Sequence, residues 1–296
     1  MTERSNPRAR KGAAALLASL LLLLAAIATP AFAQDEATTA PPELLMVDAT
    51  GEPYVVLRTA SEPAQVTITT GGIRAETGSP VALQDSSLQV QTAIVIDNSA
   101  ESWDLIDEFK AIASDYVRNA PSSERIEIWT TGGEGRVRVG FGSPEARTLQ
   151  VIDSIVTASG PNHLWDAVRG ASLEFEEPVP GATNVVVLTG NIDGGSDNSA
   201  ALARGAVLAN HAGVFMVHAG QTTSSAETRL VSVSAGGAYA LEEDTAVLAA
   251  YGSSLSDAIQ STWAVPFTGD GVETGVSILV DVEDRKSTRL NSSHTS

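Results

Sequence analysis

The chain contains no cysteine, and its 18 Lys and Arg residues face 36 Asp and Glu. Without cysteine there are no disulfides and no thiolate chemistry, so stability must come from a packed core. With so few bases, nucleic acid and anionic lipid are poor partners, because phosphate binding needs clustered Lys and Arg. Beyond one apolar run near the start, no stretch approaches the ~18 consecutive apolar residues of a membrane span. There is no Gly-x-Ser-x-Gly elbow, Walker loop or dinucleotide fingerprint. His163, His211 and His218 show no metal-type pair spacing. No catalytic set emerges, so an enzyme is not expected. No cofactor is expected either, with Mg²⁺ the one alternative worth weighing.

Both ends stand apart from the rest. Arg4, Arg8, Arg10 and Lys11 precede an apolar run from Gly12 to Ala28, and Ala31-Phe32-Ala33 follows. That order reads as a Sec-type signal peptide over 1–33, cleaved after Ala33, which implies export to the cell envelope. Asp284 to His294 reads D-R-K-S-T-R-L-N-S-S-H and resembles the in-frame translation of a sequencing adapter. Residues 284–296 are therefore set aside as an artefactual tail. The native chain is expected to continue past Glu283, with membrane attachment through that missing region. The two ends hold seven of the bases and two of the acids, so residues 34–283 keep 11 and 34, a net charge of −23. Such acidity favours cations or basic protein surfaces as partners, and it also serves plain solubility.

Residues 34–43 form a polar, proline-ended linker. Short β-branched runs punctuated by Gly and Pro then predict strands across 44–90. From Gln91 the pattern changes. The apolar run Ala93 to Ile96 ends at Asp97, and Ser99 follows two residues later. Trp103, Ile106, Phe109, Ile112, Ala113 and Tyr116 then recur at helical spacing, predicting a helix over about 101–119. Alternation in 125–130 and 136–141, with Thr131 to Gly135 between, predicts an antiparallel hairpin. Ser143-Pro144 predicts a capped helix to about Ala158, and Asn162 a second cap for a helix reaching Phe175. Buried strands at 183–188 and 213–218 alternate with helices over 199–212, 226–234 and 244–263. The expected fold is α/β: a doubly wound, mainly parallel sheet with one antiparallel edge strand, spanning 91–262. Returning strands over 263–283 are expected to pair with 44–90 in a small β-sandwich.

Three stretches carry a family resemblance: I-V-I-D-N-S (94–99), N-H-L-W-D-A (162–167) and V-V-V-L-T-G-N-I-D (185–193). Together they resemble a von Willebrand factor type A domain. In that family an Asp-x-Ser-x-Ser loop, a later Thr and a later Asp converge on Mg²⁺ in a metal-ion-dependent adhesion site. Mg²⁺ needs hard oxygen ligands in near-octahedral array, so each missing ligand counts. Here Asp97 and Ser99 match the first two ligands, while Glu101 stands where the second Ser belongs and Ser102 comes one place late. Asn162 replaces the Thr, and Gly190 replaces the Asp, with Asp193 three residues beyond. The resemblance thus implies a degenerate site of Asp97, Ser99 and Asn162. Without metal, Asp97 and Ser99 would serve as loop and helix caps. The acidic loop 191–197 lacks the spacing of a calcium loop and reads as solvated.

The wider order of leader, early strands, type A unit and returning strand resembles the exported front half of bacterial type II secretion F-family (Tad-like) membrane proteins. It implies a non-catalytic, extracytoplasmic protein-interaction module on a secretion or pilus-assembly machine. Its partner face would be the carboxyl edge of the sheet: Asp97, Ser99, Glu101, Asn162, Gly190 and Asp193. The alternative is a secreted, Mg²⁺-dependent adhesin or ligand-binding protein.

Overall fold

The computed structural model describes residues 43–48, 53–59, 62–175, 181–219, 231–232, 237, 239–242, 247–248, 251–268, 277–284 and 289–295. The signal peptide, nearly all of the linker and most of the helix expected over 226–234 lie outside these residues. Early strands are β1 (Glu43–Asp48), β2 (Tyr54–Arg58), β3 (Pro63–Thr70), β4 (Ile73–Arg74), β5 (Glu76–Thr77) and β6 (Val81–Ala82). The alternating part runs β7 (Gln89–Ile96), α1 (Ile106–Asn119), β8 (Glu124–Thr130), β9 (Arg136–Val139), α2 (Glu145–Asp153) and α3 (Leu164–Leu173). It continues with β10 (Gly181–Thr189), α4 (Ala200–Ala209), β11 (Gly213–Ala219), β12 (Tyr239–Glu242) and α5 (Tyr251–Gln260). Strands β13 (Thr262–Thr268), β14 (Ser277–Asp284) and β15 (Arg289–Thr295) follow.

The central sheet has the order β12-β11-β10-β7-β8-β9, parallel throughout except for β9 on the edge. Strands β7, β10 and β11 at its centre are near-continuous buried runs because both faces are covered. Ile94 and Ile96 of β7 pack with Phe109, Ile112 and Tyr116 of α1 and with Tyr251 and Leu255 of α5. Ala93 and Val95 face the other way, toward Leu164 and Val168 of α3 and Val207 of α4. The chain order reverses between β7 and β10, the switch point where open sheets of this kind leave a crevice beyond their carboxyl ends.

The flanking strands form two antiparallel sheets, one built on β1-β2-β13 and one on β14-β3-β4. Val55, Leu57, Val66, Ile68, Val265, Phe267, Val280 and Val282 make their shared core. The expected sandwich of early and late strands is present. Val56 and Ala264 point the opposite way and join the core under α1 and α5. The β1-β2-β13 sheet is therefore a wall shared by the sandwich and the α/β unit.

Several local expectations need correction. A 3-10 turn at Ala100–Ser102 precedes α1, which begins only at Ile106. Trp103 therefore falls outside the helical face that its spacing predicts, and Leu105 is buried instead. Ser143 does not cap α2; its hydroxyl donates to Gly140 O, and the helix stops at Asp153. The residue before α3 is His163 and not Asn162, whose side chain is used elsewhere. Trp263, expected at the end of a long helix, lies in β13. Residues 289–295, expected to be an artefactual tail, lie along β14 as β15, a pairing that bears on neither their origin nor that expectation. An uncovered strand edge offers unpaired backbone groups to whatever polar segment turns back beside it.

On β8, Glu127 and Trp129 share the face that packs on α3, and both are buried. The Trp129 indole N–H donates to the Glu127 carboxyl. Burial pushes that carboxyl up to about 7, against the lowering by this bond, and nearby Glu174 adds to the rise. The folded chain thus holds a proton that the unfolded chain releases above about pH 4.5. This contribution to stability is full below pH 4.5 and is lost as pH rises through about 7. Each pH unit in that window removes up to about 1.4 kcal/mol. Glu127→Gln is expected to flatten this decline and to be the more stable protein above pH 7. Urea titrations on either side of the window check it.

Candidate functional site: the carboxyl edge of the parallel sheet

Asp97 follows β7 directly, and its backbone N–H still bonds Leu188 O of β10. Parallel register brings the ends of β7, β8 and β10 level, so Asp97, Thr131 and Thr189 converge. The Asp97 carboxylate is fully buried. Its Oδ1 accepts from Ser99 N at 3.0 Å and Thr131 Oγ1 at 3.2 Å. Its Oδ2 accepts from Ser102 Oγ at 2.7 Å, Thr189 Oγ1 at 3.0 Å, Asn162 Nδ2 at 3.1 Å and Gly190 N at 3.2 Å. A carboxylate has about four lone-pair directions, so six donors saturate it. All six are neutral. The charge is held by dipoles, as in an anion-binding nest.

The remaining expected residues are placed as follows. Ser99 and Asn162 are buried beside Asp97, and among the described residues Ser99 Oγ and Asn162 Oδ1 have no hydrogen-bond partner. Asn162 Nδ2 also faces Thr189 Oγ1 and Asn191 O, which fixes the orientation of the amide. Glu101 is exposed and lies outside this cluster, accepting from Asn191 Nδ2 at 2.9 Å. Asp193 is not brought to Asp97. It accepts from Trp165 N and from Ser196 Oγ, at the start of α3. Asp166 takes Asp197 N, Asn198 N and Asn198 Nδ2, which lower its pKa against the opposing effect of burial and tie the loop before α4 to α3. A Cβ at Gly190 would lie 2.5 Å from Leu105 Cδ1 and 2.8 Å from Ser102 Oγ, so both side chains would have to shift to admit one.

Two contributors were not legible from motifs. Thr131 directly follows β8, where only sheet register reveals its neighbour. His218, register partner of Thr189 on β11, is fully buried. Burial pushes its pKa down against the pull of Asp97, so it is a neutral neighbour of the site near pH 7.

The loops around this cluster are tied to one another. Asn98 Nδ2 donates to Val156 O, Ala158 N to Asn98 O, and Ala100 N to Gly160 O. Three apolar side chains stand out to solvent on these loops: Trp103 at 67% exposure, Val156 at 72% and Ile192 at 46%.

No protein-family model matches the chain, and no curated protein matches it by sequence. Solved structures do match in fold. A von Willebrand factor type A structure from Catenulispora acidiphila superposes with a TM-score of 0.53 at 11% identity, over 88% of this chain and 75% of that one. The fold is that of a von Willebrand factor type A domain. Proximal thread matrix protein 1 from the mussel byssus, with zinc in its metal-ion-dependent adhesion site, matches at TM-score 0.54 and 14% identity. That match covers 65% of this chain, which spans half the length of the mussel protein.

The type A fold implies a divalent cation at the Asp97 edge, and the side chains here do not fit one. Such a cation wants several hard oxygens and enough negative charge to offset its dehydration. Asp97 is the single acid in the cluster, and its oxygens are already engaged. Gly190 supplies no second carboxylate, and a side chain there would have to displace Leu105 and Ser102. Among the described residues no group of three or more His, Asp or Glu is arranged to hold a metal.

Proposed function

We propose that this chain is a non-catalytic, extracytoplasmic protein-interaction module whose partner docks on the carboxyl edge of the sheet without a bridging metal. The observation that carries this reading is the saturation of Asp97 by six protein donors. An internally satisfied carboxylate shapes the loops but has nothing left for a cation. The exposed Trp103, Val156 and Ile192 supply contact area of the kind that interfaces use. The export-type leader supports a site outside the membrane, and the Tad-like order of segments supports service on a secretion or pilus-assembly machine.

Titrating Mg²⁺ into EDTA-treated protein is expected to give no binding heat and no change in melting temperature. A saturable, millimolar-or-tighter Mg²⁺ response lost in Asp97→Asn would overturn the reading. One observation favours the alternative, a Mg²⁺-dependent adhesin: the unpartnered Ser99 Oγ and Asn162 Oδ1 beside Asp97. The same titration decides between the two.

A further inference from the structure

The described loops at the carboxyl edge run over 97–105, 131–135, 154–163 and 190–199. They contain Asp97, Glu101, Asp104, Glu134, Asp193 and Asp197, and not one Lys or Arg. This is not the even spread of an acidic protein. Bases occur on α1 (Lys110, Arg118), α2 (Arg147), α3 (Arg169) and α4 (Arg204), and the nearest to these loops in sequence, Arg136, opens the edge strand β9. Arg136 pairs in register with Thr130 at this same edge, so the absence of positive charge is a property of the four described loops themselves. The same loops carry Trp103, Val156 and Ile192 in the open.

Resting on the metal-free reading above, we infer that this edge binds a basic protein surface, with Trp103 as the apolar anchor and Glu101 and Asp104 as its charged rim. A cation at this edge would attract a partner's carboxylate. Here the sign is reversed, because the field of the loops is negative and no metal inverts it. Acidic partners meet like charge, whereas Lys and Arg are steered in. An Arg guanidinium also stacks well on an indole face, and Trp and Arg are the residues that most often dominate interfaces. Glu101 is prepared for this role, since Asn191 Nδ2 already fixes its carboxylate at 2.9 Å.

Two synthetic helical peptides of equal length, one of Leu and Lys and one of Leu and Glu, test the inference on the full chain in EDTA. The Lys peptide is expected to bind at least about tenfold tighter, and to weaken as salt rises. Trp103→Ala should cost it roughly tenfold or more. The double variant Glu101→Gln, Asp104→Asn should reduce its salt dependence. Both changes sit on exposed loop positions, so circular dichroism should show an unchanged fold. Equal or tighter binding of the Glu peptide in EDTA overturns the inference. If that binding is lost in Trp103→Ala, the edge remains the partner face and only the sign of the partner falls. If either peptide binds only with Mg²⁺, the metal-free reading falls with it. No binding of the Lys peptide, or Trp103-dependent binding to zwitterionic lipid vesicles, also overturns it.

Discussion

Asp97→Ala is expected to lower the unfolding free energy by about 3–5 kcal/mol, measured by urea titration in the presence of EDTA. Removal of the carboxylate takes a shared acceptor from six donors in a site with no exposed surface, of which Asn162 Nδ2 and Thr189 Oγ1 keep Asn191 O. Each buried donor left unpaired costs about 1–3 kcal/mol, and bonds to a charged acceptor sit at the upper end. The sum is not additive. Ser102, Thr131 and Thr189 can rotate their hydroxyls, and Thr189 already has Asn191 O within 2.8 Å. The sign separates two physical pictures. In a metal site stripped of its cation, the ligand carboxylate is under-compensated, and its removal is neutral or stabilising. Here it is the hub of the loop structure, and its removal is destabilising with or without divalent ions. A loss below about 1 kcal/mol in EDTA would show that the carboxylate is not an internal anchor.

The second large effect lies at the opposite end of the sheet. Arg58→Ala is expected to cost about 3 kcal/mol. Arg58 lies on the face of β2 that Val56 also uses, against the α/β unit, and it is buried. Its Nη2 donates to Asn184 Oδ1 at 2.6 Å, and its guanidinium lies 4.7 Å from the centre of the Phe215 ring. A charged hydrogen bond contributes about 1.5–3 kcal/mol and a desolvated cation–π contact about 2. The link continues inward. Asn184 Nδ2 reaches Thr92 Oγ1, and Thr92 and Tyr116 both donate to Glu124. Burial pushes the Glu124 carboxyl up, and it pushes the Tyr116 phenol well above its ordinary value with the help of Glu124. Gly213 completes the arrangement, because a Cβ there would lie 2.4 Å from Arg58 Nη1. A double-mutant cycle with Asn184→Ala should show coupling of about 1–2 kcal/mol. Additive losses would mean that Arg58 acts through packing alone.

Much of the fold was written in hydrophobic periodicity. Runs such as Thr183 to Leu188 and Gly213 to His218 are long, apolar and β-branched, and their alternation with helices leaves few topologies open. The site was legible only in part. Asp97, Ser99 and Asn162 stood out because a short motif fixes the residue after a strand. Ser102, one place late by spacing, still reaches Asp97, since the 3-10 turn at 100–102 advances the chain faster than an α-helix does. Thr131 carried no local signal, and strand register alone places it. Trp103 misled because its spacing matched the helical stripe, while the irregular turn before α1 puts it outside. Asn162 looked like a helix cap because Asn commonly is one, but three acceptors claim its amide first.

The shared β1-β2-β13 wall has a mechanical consequence. Strand β6 pairs with β13, so the α/β unit leaves the wall and returns to it at neighbouring strands. Strand β3, ahead of the unit, is likewise zipped to β14 behind it from Thr70 to Pro63. Tension applied along the chain from both sides is therefore borne first by these strand ladders of the sandwich. The inserted unit stays off the force path until those ladders give way, and the loops around Asp97 keep their shape under pull.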